Sequence, residues 1–376
     1  MPRSMVCRPS AATADDLRRL GADVRRIGAE AGLAAVGIAD AGVFEDTRAD
    51  LRSRRDRGLH AGMQFTYRNP ERSTDPDRVL EGARSLVVGA WGYRRADPPA
   101  PTARSAPEGS VARFARCDHY GSLRRALDRV AGRIRADGWR AMVVVDDNAL
   151  VDRAAAHRAG LGWYGRNTLL LLPGLGSWFV LGSVVTDARL EPTDPEGPSG
   201  PAEGCGTCRR CMAACPTGAL VEDGVLDARR CLAWLVQAPG TFPVEFRSAL
   251  GDRIYGCDEC QVVCPVNRTC DRRHPPTEPE PGTVAAVDLI ELLGASDEAL
   301  LAAHGRWYIA DRDPRWLRRN ALVALGNVGD GGDAATAAAV SRWAFGDDEL
   351  LAEHARWAAV RLGRSDLLGG PTGADR

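Results

Sequence analysis

The stretch from Cys205 to Pro265 holds the residues whose types and spacing most clearly point to chemistry. It opens with CGTCRRCMAACP, and its C-x2-C-x2-C-x3-C-P spacing is the one that binds iron–sulfur clusters in two-cluster bacterial ferredoxins. A second run, CDECQVVCP, repeats this rhythm without its first cysteine, whose place falls on Ile254. Cys231 lies upstream in the connecting segment and is the expected replacement. The spacing therefore predicts two neighbouring [4Fe–4S] clusters that conduct electrons.

In this motif the fourth cysteine of each run ligates the other cluster, so the predicted ligand sets cross. One set is Cys205, Cys208, Cys211 and Cys264, and the other is Cys215, Cys231, Cys257 and Cys260. Eight thiolates could instead hold two tetrahedral zinc ions, although zinc ligands usually come as separated C-x2-C pairs. A disulfide framework is disfavoured, because nothing marks the chain as secreted.

Three features outside the cysteine runs are further candidates for catalysis or binding. Asp146 follows a predicted strand, where α/β folds place catalytic residues, but a helix N-cap or a solvated loop is the commoner role of a lone carboxylate. The glycine-rich run GLGWYGRNT at 160–168 lacks the spacing of a phosphate-binding loop, so we favour tight packing or a turn. His119 could be an acid or a ligand, and we expect a surface imidazole.

Composition limits the classes of protein to which the chain can belong. Its 376 residues can form two or three domains, and a formal charge of −1 gives no overall basic field for nucleic acid. All 49 basic residues are arginine, which binds phosphate bidentately. No apolar leader and no run of 18 apolar residues occurs, so we expect a soluble, cytoplasmic monomer without a membrane anchor. The cysteines outside the two sets are interpreted as ordinary thiols, and they are Cys7, Cys117 and Cys270.

Helices and short strands are predicted to alternate over residues 14–190, which indicates an α/β domain. Helices are expected at 14–36, from residue 122, and at 151–159. Strands are expected at 35–39, 85–90, 141–145, 168–172 and 178–186, with the last two as neighbours.

Proline-rich and glycine-rich stretches predict the connections between these elements. They include a mobile loop at 94–110, a linker at 191–204 into a cluster domain over 191–275, and a further connection at 266–283. The remaining residues, 284–366, are expected to be helical. The segment 319–325 is echoed 34 residues later by 353–359, a period typical of HEAT-like paired helices.

Longer motifs link these segments to a known family. The chain contains VDDNALVDRAAAHRAGLGWYGRNT, GLGSWFVLG, DARRC, RIYGCDECQVVCPVN and RRNALVALGN beside the first cysteine run. This combination resembles the epoxyqueuosine reductases. The resemblance implies an α/β cobalamin-binding domain, a ferredoxin-like domain with two [4Fe–4S] clusters and a helical HEAT-like tail. It also implies reduction of epoxyqueuosine to queuosine at the wobble position of tRNA.

The resemblance further assigns roles to single residues. Asp146 falls in the family's V-D-[ST] motif and is implied to be the proton donor. Five other residues fall at positions that contact the corrin in the family, namely Arg72, Leu170, Leu181, Ala233 and Asp258. With Asp146, they form the expected cobalamin contacts.

The chain departs from the family pattern at three places. Asp147 stands where a serine or threonine is expected, and two adjacent carboxylates can raise the pKa of one and keep a general acid protonated. Arg166 replaces a lysine of the glycine-rich motif and keeps its charge. His119 and Tyr120 are exchanged relative to the family's D-Y-H order.

The leading hypothesis is reductive deoxygenation of an epoxide, with an external donor passing single electrons to the clusters and on to cobalamin. Asp146 would protonate the oxygen as the C–O bond breaks. A corrinoid reductive dehalogenase is a rival, although it normally carries an export signal. A ferredoxin-type electron carrier with a helical interaction module is another, although it would not need the large α/β domain.

Because the net charge is near zero, tRNA binding is expected to depend on a local patch. The candidates are Arg315, Arg318 and Arg319 beside Trp307 and Trp316, with a solvated helix face as the alternative.

Overall fold

The structure is a computed structural model that describes residues 12–96, 106–194, 204–276 and 278–368. Cys7 lies outside these ranges, as do parts of the 94–110 and 191–204 stretches. The strands, in chain order, are β1 Ala35–Asp40, β2 Ser85–Gly92, β3 Glu108–Val111, β4 Ala141–Val145, β5 Trp163–Tyr164, β6 Leu170–Leu171, β7 Phe179–Thr186, β8 Leu220–Glu222, β9 Val225–Leu226, β10 Arg253–Tyr255 and β11 Ala286–Asp288.

The α-helices fall into a group before the cysteine runs, short helices within and just after them, and a C-terminal bundle. They are α1 Ala14–Glu30, α2 Glu45–Asp56, α3 Phe65–Arg68, α4 Pro70–Ser73, α5 His119–Ala136, α6 Asp152–Arg158, α7 Arg210–Ala214, α8 Leu232–Leu235, α9 Val244–Leu250, α10 Glu259–Val262, α11 Pro265–Arg273, α12 Leu289–Gly294, α13 Asp297–His304, α14 Arg315–Val328, α15 Ala334–Ala344 and α16 Glu349–Arg361. Within the described ranges, no helix is both long and apolar enough to cross a membrane.

The main sheet has the order β1-β2-β7-β4, and each pair of neighbours is antiparallel. Side chains alternate between its faces, so Val87 packs with α1 and α5 while Leu86 packs with α6. The helix and strand predicted at the N-terminus are confirmed, as are the strands predicted at 85–90 and 141–145. This layered α/β arrangement places the end of β4 next to the start of α6.

A second sheet joins distant parts of the chain. Its order is β10-β3-β11, and β3 pairs with both neighbours. β3 lies at the end of the stretch predicted as a loop, so that prediction is wrong for residues 108–111. Alternation of Gly109 and Val111 toward the interior explains the strand, because these residues are buried while Glu108 and Ser110 are only partly covered. One strand from each of three chain regions therefore builds this sheet.

Two other predicted elements differ from the structure. The strands at 168–172 and 178–186 are not neighbours, because Leu170–Leu171 pairs with Trp163–Tyr164 while β7 lies between β2 and β4. The connection predicted at 266–283 begins instead as a helix. Pro265 stands in the first turn of α11, where its missing N–H costs no helical hydrogen bond.

The arginine patch predicted for tRNA is also wrong. Arg319 is 1% exposed, and its guanidinium donates to the carbonyl oxygens of Leu235, Ala238 and Gly240 at 2.6–2.8 Å. Arg318 is 9% exposed and donates to the Ala295 carbonyl. These side chains connect α14 to neighbouring segments, so they are not available to phosphates.

Candidate active site

A cavity of about 1780 Å³ is lined both by the α/β region and by the cysteine-rich segment. Asp146 and Asp152 contribute to its wall from the first of these regions. Cys231, Cys257 and Cys260 contribute from the second. The cavity therefore brings candidate acids and candidate cluster ligands to one enclosed space.

Asp146 is positioned by the end of β4. Its backbone has φ of +51°, an uncommon conformation for a residue other than glycine. Arg124 donates to the carbonyl of Val145 at 2.8 Å and so fixes the strand end just before it. The carboxyl group is open to the cavity space but enclosed by the cavity walls. Burial raises the pKa of Asp146, the charge of Asp147 raises it further, and Arg124 opposes both effects.

Asp152 begins α6 and is a second acid close to Asp146. Burial raises the pKa of Asp152 to about 8, and the negative charge of Asp146 contributes to this shift. Its Oδ1 atom is buried and accepts no hydrogen bond from any residue that the structure describes. Asp152 is therefore protonated at neutral pH. Sequence reasoning missed this residue, because an aspartate in a first helical turn ordinarily only complements the helix dipole.

The first predicted cluster set forms one spatial group. Burial raises the pKa of Cys211, and the neighbouring thiols of Cys205, Cys264 and Cys208 raise it further. Cys264 comes from the second cysteine run, whereas the other three come from the first. The fold therefore brings these four thiols together in the crossed arrangement.

The second predicted set forms an adjacent group. Burial raises the pKa of Cys231, and Cys215 adds to the effect. Burial also raises the pKa of Cys257 to about 11, with a contribution from Cys231. Burial raises the pKa of Cys260 as well, and Cys257, Cys231 and Cys211 all contribute. Because Cys211 belongs to the first set, the two groups lie next to each other.

The distances between these thiols distinguish clusters from zinc. With Zn–S bonds near 2.3 Å, tetrahedral zinc would hold its sulfur ligands about 3.8 Å apart. Across the described ranges, which include all eight cysteines, no three of these thiols lie within 4.8 Å of one another. Each group is therefore too widely spaced for a single zinc ion and has room for a larger cluster.

The cavity also fits a group of corrin size. Its volume exceeds the roughly 300–1,000 Å³ of ordinary small-molecule pockets. Of the corrin contacts implied by the resemblance, Leu170, Leu181, Ala233 and Asp258 line it. Arg72 is exposed on α4 and is not among its lining residues, so this implied contact has no support in the fold.

Asp258 is held in place within this wall. The backbone N–H of Arg113 donates to its Oδ2 at 2.8 Å, and Gln261 donates to its Oδ1 at 3.2 Å. Burial raises the pKa of Asp258. These bonds join the segment after β3 to the second cysteine run.

The glycine-rich run 160–168 has a packing role, as its sequence indicates. It forms the β5–β6 hairpin, and a Cβ atom at Gly162 would lie 2.1 Å from the carbonyl oxygen of Leu171. Arg166 donates to the carbonyl of Cys208 at 2.9 Å and pairs with Asp223 at 2.9 Å. The hairpin therefore supports the first cluster set instead of binding phosphate.

Several aromatic and basic cavity residues were not found by sequence reasoning. They come from separated parts of the chain and carry no shared motif: Tyr120, Arg153, Tyr255, Arg306 and Tyr308. Burial raises the pKa of Tyr120 and of Tyr255, so both phenols stay neutral hydrogen-bond donors. Only the fold brings them near Asp146.

Comparisons with known proteins agree with this geometry. The sequence model of the 4Fe-4S double cluster binding domain matches residues 204–267. An epoxyqueuosine reductase of Xanthomonas campestris is 36% identical over 352 residues, which cover 91% of this chain and 96% of that protein.

Two solved structures are similar over nearly the whole chain. One is an epoxyqueuosine reductase with an epoxyqueuosine-modified tRNA-Tyr stem loop, at a TM-score of 0.82 and 30% identity, covering 92% of this chain and 91% of that one. Another is the Bacillus subtilis epoxyqueuosine reductase with its catalytic aspartate loop swung out of the active site, at a TM-score of 0.80, 30% identity and the same coverage. The similarity therefore includes all the regions that line the cavity.

Proposed function

The chain belongs to the epoxyqueuosine reductase family, and we propose that it reduces epoxyqueuosine to queuosine at the wobble position of tRNA. The observation that carries this proposal is the shared cavity, where Asp146 faces the same space as Cys231, Cys257 and Cys260. Removing the epoxide oxygen as water takes two electrons and two protons. A cavity that joins thiols able to hold a cluster with a protonated acid suits this requirement.

Asp146 acts as the proton donor in this proposal. An alkoxide is a poor leaving group in water, so a positioned acid lowers the barrier as the C–O bond breaks. The raised pKa of Asp146 favours its protonated form, and the left-handed backbone at this position directs it away from the line of β4. Asp152, also protonated, is close enough to influence Asp146 and can replace its lost proton.

The two cysteine groups would hold two [4Fe–4S] clusters in the crossed sets. Leu170, Leu181, Ala233 and Asp258 would hold cobalamin in the cavity. When bound, these groups supply the single electrons, received from an external donor, and the reduced centre that attacks the epoxide. Tyr120 and Tyr255, as neutral phenols at the cavity wall, orient the substrate by hydrogen bonding.

For tRNA we propose contacts at the rim of the cavity. Arg153, Arg306 and Tyr308 are exposed and line it, so they combine positive charge with an aromatic face. Phosphates bind arginine and unpaired bases stack on aromatic rings, so an anticodon loop suits this surface. The relative solved with a tRNA stem loop supports the class of partner.

We also propose a division of labour along the chain. Residues 14–190 would bind cobalamin and supply the acid, and 191–275 would bind the clusters. Residues 284–366 would form a HEAT-like support, since α14 and α16 pack together and carry the repeated sequence segments.

The test is a reduction assay with enzyme purified without oxygen, epoxyqueuosine-containing tRNA and a chemical one-electron reductant. Nucleoside mass spectrometry should show conversion to queuosine, with loss of one oxygen, only when the enzyme contains both iron and a corrinoid. Persistence of epoxyqueuosine under these conditions would overturn the assignment. An enzyme with full iron but no affinity for cobalamin would support the electron-carrier alternative.

A further inference from the structure

His119 lies at the start of α5 and is buried, although the sequence suggested a surface imidazole. It is 2% exposed, and its Nδ1 atom accepts or donates no hydrogen bond within the part of the chain that the structure describes. Its ring does bond to the backbone of Arg113, which orients it. An unpaired polar atom in a buried position is costly, so the exposed face of this nitrogen needs a partner.

Two further ligand atoms face the same point. Glu280 places Oε2 at 3.8 Å from Nδ1 of His119, and this oxygen is also buried without a hydrogen-bond partner among the described residues. The Sγ atom of Cys117 completes the group, and the three atoms all lie within 4.8 Å of one another. Cys117 also contacts the hydroxyl of Thr283 at 3.1 Å.

We propose that Cys117, His119 and Glu280 form a zinc site separate from the cluster cysteines. Sulfur, nitrogen and carboxylate oxygen are the three ligand types that zinc combines. Typical Zn–ligand distances would place these atoms about 3.3–3.6 Å apart, so binding needs movements on the order of 1 Å. Together, one thiolate, one carboxylate and a neutral imidazole balance the ion's charge.

The surroundings support a preformed site. A zinc-bound histidine ordinarily donates its other ring N–H to a carbonyl or carboxylate, and the Arg113 backbone is in that role for His119. Arg306 donates to the carbonyl oxygens of Arg116 and Cys117 and so fixes the loop that carries the thiol. These contacts hold two of the three ligands in position before any ion arrives.

The position of the site indicates its consequence. Cys117 lines the large cavity, whereas Glu280 belongs to the segment before β11, far away in sequence. A zinc ion would therefore tie that segment to the start of α5 at the cavity wall. Three protein ligands leave a fourth position for water.

Zinc uptake tests the proposal directly. The holoenzyme, at about eight iron atoms per chain from two four-iron clusters, is incubated with zinc sulfate, desalted and analysed for both metals by mass spectrometry. Wild type should retain about one zinc per chain, as one site predicts. Cys117→Ser and Glu280→Gln should lose this zinc while keeping their iron, and a competing chelator should show at least about tenfold weaker affinity for Glu280→Gln.

Glu278→Gln is the matched control, because Glu278 is an exposed carboxylate two residues away and is not part of the group. It should bind zinc like wild type. Failure of wild type to retain zinc at full iron content, or equal retention by Glu280→Gln, would overturn the proposal and leave His119 and Glu280 as a simple ion pair. Glu280 is only partly buried, so its variant should remain folded even if Cys117→Ser does not.

Discussion

At the scale of single residues, the pair Asp146 and Asp152 has the clearest consequences. Both carboxyl groups have raised pKa values, mainly because of burial, and each raises the pKa of the other or of a neighbour. Such groups titrate together, so the proton lost in one turnover can be shared between them. This arrangement explains how a carboxylic acid can serve as a donor near neutral pH.

Asp146→Asn should reduce turnover by about 10²–10⁴-fold, because the amide keeps the shape but cannot give the proton. Iron content and corrinoid binding should not change. The measurement is single-turnover conversion of epoxyqueuosine tRNA. Near-normal conversion would transfer the role to another group, such as Asp152.

Asp147→Asn is the companion variant and changes the pH profile. Since a raised pKa keeps Asp146 protonated at higher pH, wild-type activity should fall only as pH rises through that value. Removing the charge of Asp147 removes one cause of the shift, so the fall should move to lower pH. An unchanged profile would show that Asp146 does not control this limb.

Cys231→Ala tests the crossed cluster sets. Cys231 lies with Cys215, Cys257 and Cys260, so its loss should leave one cluster intact and degrade the other. Iron should drop from about eight to about four per chain, as two four-iron clusters predict. Electron paramagnetic resonance of the reduced protein should show one remaining signal. Full iron content would mean that another residue is the ligand.

At the scale of elements, a buried polar network attaches α16 to the segment around α9. Arg247 is 1% exposed and makes two hydrogen bonds with Glu353 at 2.7 and 2.8 Å. His354 accepts at Nε2 from the backbone N–H of Phe242 at 3.0 Å and from Arg247. An imidazole that accepts at Nε2 must be neutral there, with its proton on Nδ1 facing the Leu350 carbonyl.

This attachment should weaken in acid. Burial, with the charge of Arg247, lowers the pKa of His354 to about 4. Between that value and the ordinary pKa near 6.5, the unfolded chain binds the extra proton, so stability falls as pH falls. Lowering the pH from 7 to 5 should cost on the order of 2 kcal/mol at this site.

Thermal unfolding, followed by circular dichroism at both pH values, measures this loss. His354→Gln removes the titrating group, so its midpoint should fall less between pH 7 and pH 5 than that of wild type. Equal losses in the two proteins would assign the acid sensitivity to other groups.

At the scale of the whole molecule, the tRNA surface is the property that the fold revises most. Burial of Arg318 and Arg319 moves the expected contacts from the helical tail to the cavity rim. The sheet of β10, β3 and β11 connects this rim to the tail, so the tail supports the binding surface without needing to touch phosphate.

Arg153→Ala should weaken tRNA binding and reduce the salt dependence, by roughly 0.7–0.9 in the slope of log affinity against log salt per lost phosphate contact. Tyr308→Ala should cost about 1–3 kcal/mol by losing a base stack, with the slope unchanged. Arg342→Ala is the control, because Arg342 is exposed but does not line the cavity. Fluorescence anisotropy across a salt series measures all three. An effect of Arg342→Ala as large as that of Arg153→Ala would argue against the rim.

The sequence by itself determined the features that depend on local spacing. Cysteine spacing indicated two crossed ligand sets, and hydrophobic periodicity indicated α1, β1, β2 and β4. The position of Asp146 after a strand was also readable, because strand ends follow directly from the alternation that defines the strand. The α/β character of the first 190 residues followed in the same way.

Tertiary structure alone decided which distant residues meet. Arg319 has the same local pattern as a surface arginine, yet three carbonyl oxygens from another segment bury it. His119 and Glu280 are far apart in the chain, and Asp152 has an ordinary helix-start sequence until the cavity encloses it. Local periodicity reports which face of an element is apolar, but it does not report what packs on that face. Burial, pKa shifts and ligand groups therefore depended on contacts that only the folded chain makes.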